Sequence, residues 1–306
     1  MSSIMTNTSA MTALKTLAAT NKAIETTQTR ISTGYAVSSA SDNAAYWSIA
    51  TTMRSDNNAL GTVQDALGLG AATLDVAYTG MESAIEVVDE IKTKLVAAKE
   101  PGVDKAKIQS EITELQAQLE GIATSASFNG ENYLHTATGL TAGTESVVAS
   151  FTRDASGNVS IETIDVDTTT TVLTDVDTAA NGILSQDRTG TNTNVASIAG
   201  GANDITIDGT TTDAELDDMI EVVDAALTEM TEAATTLGAS KKRIDMQNDF
   251  VGNLMDAIDR GVGQLVDADM SEESTRLQAL QVQQQLGIQS LSIANQNAQT
   301  ILSLFR

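Results

Sequence analysis

The chain contains no cysteine, so disulfides, thiolate nucleophiles and sulfur-bound zinc are all excluded. A single histidine, His135, leaves no His-rich metal site and no HExxH helix, and any Ser-His chemistry would rest on that one residue. Pro101 is the one proline in 306 residues, and aromatics make up 3%. That is a poor stock for lining a substrate pocket but an ordinary one for long unbroken helices. Basic residues are scarce as well: 17 Lys and Arg face 41 Asp and Glu, for a net charge of −24. A surface of that sign repels phosphate, which excludes nucleic acid as a partner.

The charge that is present is unevenly placed. Residues 1–31 and 277–306 carry Lys15, Lys22, Glu25, Arg30 and Arg306, a net +3, which leaves −27 for the interior, and no charged side chain occurs from Leu277 to Phe305. An uncharged run raises the question of membrane insertion. Gln283, Gln284, Gln285, Gln289, Asn295, Gln296 and Asn297 argue against it, because so many amides are costly in lipid. The opening MSSIMTNTSAMTAL lacks the basic and apolar regions of a secretory signal, so export would need another route.

Apolar residues recur at alternating steps of three and four along three stretches, the pattern of helices packed on a seam. One runs Leu60, Val63, Leu67, Gly70, Leu74, Ala77, Met81, Ala84, Val88, Ile91, Leu95 and stops at Pro101-Gly102. A shorter one follows, Ile108, Ile112, Leu115, Leu119, Ile122, closing near the FNG of Phe128–Gly130. The longest runs Leu216, Ile220, Val223, Leu227, Met230, Ala234, Leu237, Lys241, Ile244, Asn248, Val251, Met255, Ile258, Val262, Leu265. Only Lys241 and Asn248 interrupt it. Each residue either reaches solvent along its stem, fixes the register of the pair, or marks where the packing can slip between two states.

The termini continue the theme. Leu17, Ile24 and Ile31 repeat every seven residues, with Leu14, Asn21 and Gln28 at the companion positions. Leu277, Leu280, Gln284, Gly287, Leu291, Ala294, Ala298, Ile301 and Phe305 form the opposite seam, while Leu286, Ile288, Ile293, Leu302 and Leu304 lie off it. Apolar residues on several faces imply several neighbours. These end helices are therefore expected to order only when other copies cover them. Between 140 and 213 the composition turns to Thr, Asp and Gly. SVVASFTR, NVSIETIDV and NDITIDG read as strands, and the acidic low-complexity tract DTTTTVLTDVDT reads as exposed.

The expected fold is therefore mainly α. Long antiparallel coiled-coil-like helices from the N- and C-terminal halves flank a small β-rich central insertion. The chemical alternatives are weak. His135 beside Tyr133 and Leu134 reads as a packing or surface residue. GLGAAT at Gly68–Thr73 lacks the third glycine and the preceding strand of a dinucleotide loop. Asp165 with Asp167 and Asp175 with Asp177 lack the glycine and terminal glutamate of a calcium loop. No catalytic residue, cofactor or metal site is expected.

Several of these segments carry a family resemblance. TNTSAMTALKTL (Thr6–Leu17), ISTGYAVSSASDNAAYWSIA (Ile31–Ala50), EITELQAQLEGIATSASFNG (Glu111–Gly130) and the whole of Leu265–Arg306 resemble bacterial flagellin, over roughly 4–135 and 235–306. The form is similar to the short rhizobial type. The resemblance implies a filament subunit with residues 1–43 and 266–306 in an inner core, 44–139 and 214–265 in a helical rod, and 140–213 outermost. It implies a secreted, extracellular, self-assembling chain that meets sister flagellins, an export chaperone, and cap and hook-junction proteins. Self-assembly would rest on Leu14, Leu17, Ile24, Ile31, Leu277, Leu280, Leu286, Leu291, Ile301, Leu304 and Phe305. The rod seam would rest on Leu60, Leu67, Leu74, Met81, Val88, Leu95, Leu227, Leu237, Ile244, Val251 and Ile258. A hook-filament junction protein of the same superfamily is the alternative.

Two departures stand out. Tyr46 and Trp47 occupy a place where the family is small, and Ile91, Lys92, Thr93 and Lys94 replace the motif read by the animal Toll-like flagellin receptor, which implies weaker recognition. Glycosylation of the many Ser and Thr residues is left open.

Overall fold

The computed structural model describes residues 7–136, 143–154, 156–175, 182–192 and 194–304, with side chains as far as 296. The chain divides into two compact units, Met1–Asn58 with Asp256–Arg306, and Ala59–Met255. Two long helices, α2 (Ala44–Ala98) and α4 (Asp213–Val266), contribute to both.

The first unit holds α1 (Thr8–Thr33) and α5 (Met270–Leu304). Asn7 caps α1 by accepting the Ala10 N–H, and Gly34 ends it at φ +77, a left-handed conformation that glycine adopts without penalty. α1 is rich in threonine, a weak helix former, yet the hydroxyls of Thr12, Thr16, Thr20, Thr26, Thr29 and Thr33 each donate to the carbonyl four residues back. The polar groups are thereby satisfied within the helix itself.

The two crossing turns are stitched together. Ala36 and Val37 donate to the Val266 carbonyl, and Ala268 donates to that of Gly34. Asp42 gathers the amides and hydroxyls of Ser38 and Ser39, and these bonds, those of Ser39 foremost, hold its carboxyl below the ordinary value. Beneath this crossing Ala50, Val262 and Val266 form a small core with Val37, Met53, Ile258 and Leu265.

In the second unit α2 and α4 pack antiparallel. Lys241 pairs with Asp75, Lys92 with Asp224 and Lys99 with Asp217. Tyr78 lies against Gly238, Gln64 against Gly252, and Gly61 against Met255. In every one of these pairs the two residue numbers add to the same total. The register therefore holds without a slip along the whole shared length, as a continuous seam requires. The seam residues Leu60, Leu67, Leu74, Met81, Val88, Leu95, Leu237, Ile244 and Val251 are all buried. Lys241 is half buried and reaches Asp75 at the rim, which raises its pKa.

On α4 the companion positions fall one residue away from those expected. Met219, Ala226 and Ala233 are buried where Ile220, Leu227 and Ala234 are only half buried. The cause is the insertion, which covers a second side of α4. Asp218 is buried there and accepts from the amides of Asn192 and Asn194, while Glu221 holds Thr191 and Glu229 pairs with Arg188. The buried stripe is consequently wider than one seam.

α3 (Lys105–Ser125), capped by Asp104, buries Ile108, Ile112 and Leu119. A tight hairpin of β1 (Ser127–Phe128) and β2 (Glu131–Asn132) follows, turning through Asn129 at φ 53 and Gly130 at φ 92. β3 (His135–Thr136) pairs in parallel with β6 (Thr174–Asp175). β4 (Thr144–Arg153) and β5 (Val159–Asp167) form the one long hairpin among the described residues, with a bulge between Val148 and Ser150. It lies on the helices through Val147, which packs on Gly70, and through the Ala149 carbonyl, which accepts from Gln247. β7 (Arg188–Thr189) and β8 (Val195–Ala196) complete the insertion.

Two expectations fail here. The tract DTTTTVLTDVDT is largely buried over its described part: Asp167, Thr169 and Thr170 are exposed, but Thr168, Thr171, Val172, Leu173, Thr174 and Asp175 are all in the core. Its hydroxyls find partners, Thr171 on the Tyr133 carbonyl and Thr168 on that of Gly143, so threonine can be interred without leaving polar groups unpaired. NDITIDG forms no strand beyond an isolated Ser197–Asp204 bridge. The side chains of α3 take the place of a ladder, Gln109 accepting from Ile207 N–H and Gln116 donating to the Ile205 carbonyl.

Candidate assembly surfaces

Helices α1 and α5 run antiparallel along one seam. On α5 this seam is Leu277, Leu280, Gln284, Gly287, Leu291 and Ala294, every one half buried and spaced alternately by three and four. Leu17 lies over Gly287, Gln284 donates to Asn21, and Asn7 donates to the Ala294 carbonyl. At the other end Glu273 is buried, and its Oε1 accepts from Arg30 at 3.1 Å and Arg276 at 2.8 Å, while Oε2 has no partner. Two guanidiniums offset the cost of burying that carboxylate and fix the junction.

Of the expected assembly residues, Leu17, Ile24, Ile31, Leu277, Leu280 and Leu291 are half buried in this pair. Leu14 and Leu286 are 60% and 58% exposed. Ile301 and Leu304 are on α5, but their side chains, like all of Phe305, lie outside the described residues. The companion positions of α1 are Ala13, Thr20 and Thr27 rather than Leu14, Asn21 and Gln28. That one-residue shift is what turns Leu14 outward.

The outward faces are the unusual feature. Val282, Leu286 and Ile293 share one face of α5 by their four- and seven-residue spacing, Ile288 is exposed on another side of the same helix, and Met11 and Leu14 share a face of α1. A groove lined by Asn7, Ala10, Met11, Leu14, Leu291 and Asn295 runs between the helices. Apolar residues exposed on this scale mark a surface that something else covers. Met11 and Val282 were not singled out from sequence. Their helical spacing from Leu14 and Leu286 is the signal that finds them. Tyr46, Trp47 and Ile49 add a second exposed patch at the start of α2.

Of the rod residues, Leu227 and Ile258 are half buried and the others fully so. Ile91 is completely buried, Lys92 and Lys94 are held by Asp224 and Glu111, and the Thr93 hydroxyl donates to the Asp89 carbonyl. The chemical candidates have local roles. His135 Nδ1 is 2.9 Å from the Thr174 hydroxyl across β3 and β6. Asp167 caps a single 3₁₀ turn, Asp165 bonds Thr163, and Asp177 lies outside the described residues. Among the described residues no group of three or more His, Cys, Asp or Glu could hold a metal ion, and no helix is long and apolar enough to cross a membrane.

Comparison with known proteins gives this arrangement a context. The family description "Bacterial flagellin N-terminal helical region" matches residues 4–138, and "Bacterial flagellin C-terminal helical region" matches 220–305. The chain is 57% identical to Flagellin C of Rhizobium meliloti strain 1021, with all of both chains covered. It is 48% identical to a flagellin of Brucella melitensis, again over the whole of both. Among solved structures it is similar to Bacillus cereus flagellin at 16% identity and a TM-score of 0.40, covering 62% of this chain and 88% of that one. With matches to both helical regions and a full-length relative above half identity, the chain belongs to the bacterial flagellin family.

Proposed function

We propose that the chain is the structural subunit of a flagellar filament, which it builds by polymerising with copies of itself and through which it serves swimming motility. The observation that carries this reading is the pair of terminal helices, uncharged from Leu277 to Phe305 and exposing Leu14, Val282, Leu286 and Ile293. Neighbouring copies supply the cover those faces lack. Residues 1–43 and 266–306 then form an inner core, 44–139 and 214–265 a rod, and 140–213 the outer surface. The role is mechanical, with no catalysis. Export proceeds through the flagellar secretion apparatus to the cell exterior, with a chaperone on the C-terminal helix, a cap at the tip and hook-junction proteins at the base.

Adding purified monomer to short filament seeds and imaging the product tests the reading. Filaments that lengthen in proportion to added monomer are expected. A persistent monomer or a small closed oligomer would contradict polymerisation and favour the junction protein instead.

A further inference from the structure

In the 59–255 unit nearly every basic side chain is engaged within the chain. Lys92, Lys94, Lys99, Lys107, Arg188 and Lys241 form ion pairs, while Lys105 and Arg153 bond backbone carbonyls. Lys242 and Arg243 are exposed and have no ion pair among the described residues. In a chain with 41 acidic and 17 basic side chains, two adjacent cations left unpaired are unusual. Lys242, Met246 and Phe250 follow at four-residue steps and Arg243 is three before Met246, so all four share one face of α4. Met246 and Phe250 are 55% and 58% exposed. The acids nearby do not cancel the cations: Asp245 acts on Lys241, and Asp249 is a single exposed carboxylate.

α2 carries a surface of opposite character. Glu82, Glu86 and Asp89 follow at steps of four and three, all exposed, with Glu90 beside them. Tyr78 bonds Glu82 and Lys94 feels Glu90, but the carboxylates of Glu86 and Asp89 have no partner among the described residues. The fixed α2–α4 register sets the two patches apart along the rod. Arg243 lies level with Thr73, about 13 residues short of Glu86, or roughly 20 Å at the rise of an α-helix.

We propose that the Lys242–Arg243–Met246–Phe250 face docks a second copy of this chain through that copy's Glu82–Glu86–Asp89 stripe. In a copy of the same orientation shifted by that offset, Arg243 meets Glu86 and Phe250 meets the Tyr78 end of the stripe. Because the two patches differ and are displaced, the contact is heterologous and repeats from copy to copy instead of closing into a dimer. This rests on the polymerisation reading and names one of its lateral contacts.

The test compares seeded elongation by the wild type, by K242E/R243E, and by a chain carrying both K242E/R243E and E86K/D89K. All four positions are exposed, so helix content and melting should match the wild type. The first variant is expected to need about tenfold more monomer to elongate, since like charges now face each other, and the second swap is expected to restore growth. Normal elongation by K242E/R243E, or a defect that E86K/D89K leaves in place, would overturn the contact while wild-type growth stands. Failure of the wild type itself would instead remove the polymer reading, and this contact with it.

Discussion

Replacing Leu286 and Ile293 together by serine is expected to stop filament elongation while leaving the melting of the 59–255 unit unchanged. Both side chains lie on the outward face of α5, more than half exposed, so the single chain gains little from them. A neighbouring copy that covers the remaining area would gain about 1 to 2 kcal/mol from each. Losing both therefore costs about 3 kcal/mol per added subunit, on the order of a hundredfold in the monomer concentration needed for growth. Seeded elongation followed by light scattering, beside calorimetry of the monomer, separates the two effects. A variant that elongates at the wild-type concentration would mean that this face points to solvent in the polymer.

The second large effect is a reversal of sign between two glycines of α2 that are two residues apart. Alanine normally stabilises a helix interior relative to glycine by about 1 kcal/mol. At Gly68 nothing lies within 4 Å of where a Cβ would stand, so Gly68→Ala is expected to raise stability by up to about 1 kcal/mol. At Gly70 the same atom would stand 2.6 and 2.9 Å from the two methyls of Val147 and 3.3 Å from its Cβ. Valine is stiff at χ1 and this one is buried, so the β4–β5 hairpin must move off the helix. Gly70→Ala is expected to destabilise by about 1 to 3 kcal/mol despite its better helix propensity. Denaturant melts of the two single variants decide the matter, and equal shifts of the same sign would show that the hairpin does not rest on α2.

The long helices were legible because one rule, apolar residues at alternating steps of three and four, held over long spans, and Pro101-Gly102 gave a physical stop. The constant register of α2 on α4 was legible only as a seam, since which residues face each other depends on where the chain reverses. Three features were hidden, each for a reason found in particular residues. The companion positions shifted by one on α1 and α4. A repeat of seven does not say on which side of Leu17 or Leu216 the second contact lies, and on α4 the insertion through Asp218 chose the other side.

The threonine tract read as exposed because it is acidic and of low complexity, yet Thr168, Thr171 and Thr174 all bond within the fold. NDITIDG alternates as a strand would, but beyond its bonds to Ser197 the Ile205 carbonyl and the Ile207 N–H are met by the side chains of Gln116 and Gln109, more than 80 residues earlier, which no local pattern records. The sparsely charged ends pointed to burial from the start. Over residues 277–296 the half-buried seam of the α1–α5 pair accounts for only one face of α5, and the outward row of Val282, Leu286 and Ile293 remains for other copies.

Amide hydrogen exchange over residues 277–296, in dilute monomer and in the assembled polymer, tests that conclusion most directly. A helix pair with one covered seam and apolar outer faces should open readily alone and be locked when surrounded. The expected result is rapid exchange in the monomer and protection at least a thousandfold greater in the polymer, on the order of 4 kcal/mol. Equal protection in both states would show that the pair is complete within one chain and that its exposed leucines and isoleucines are not assembly surfaces.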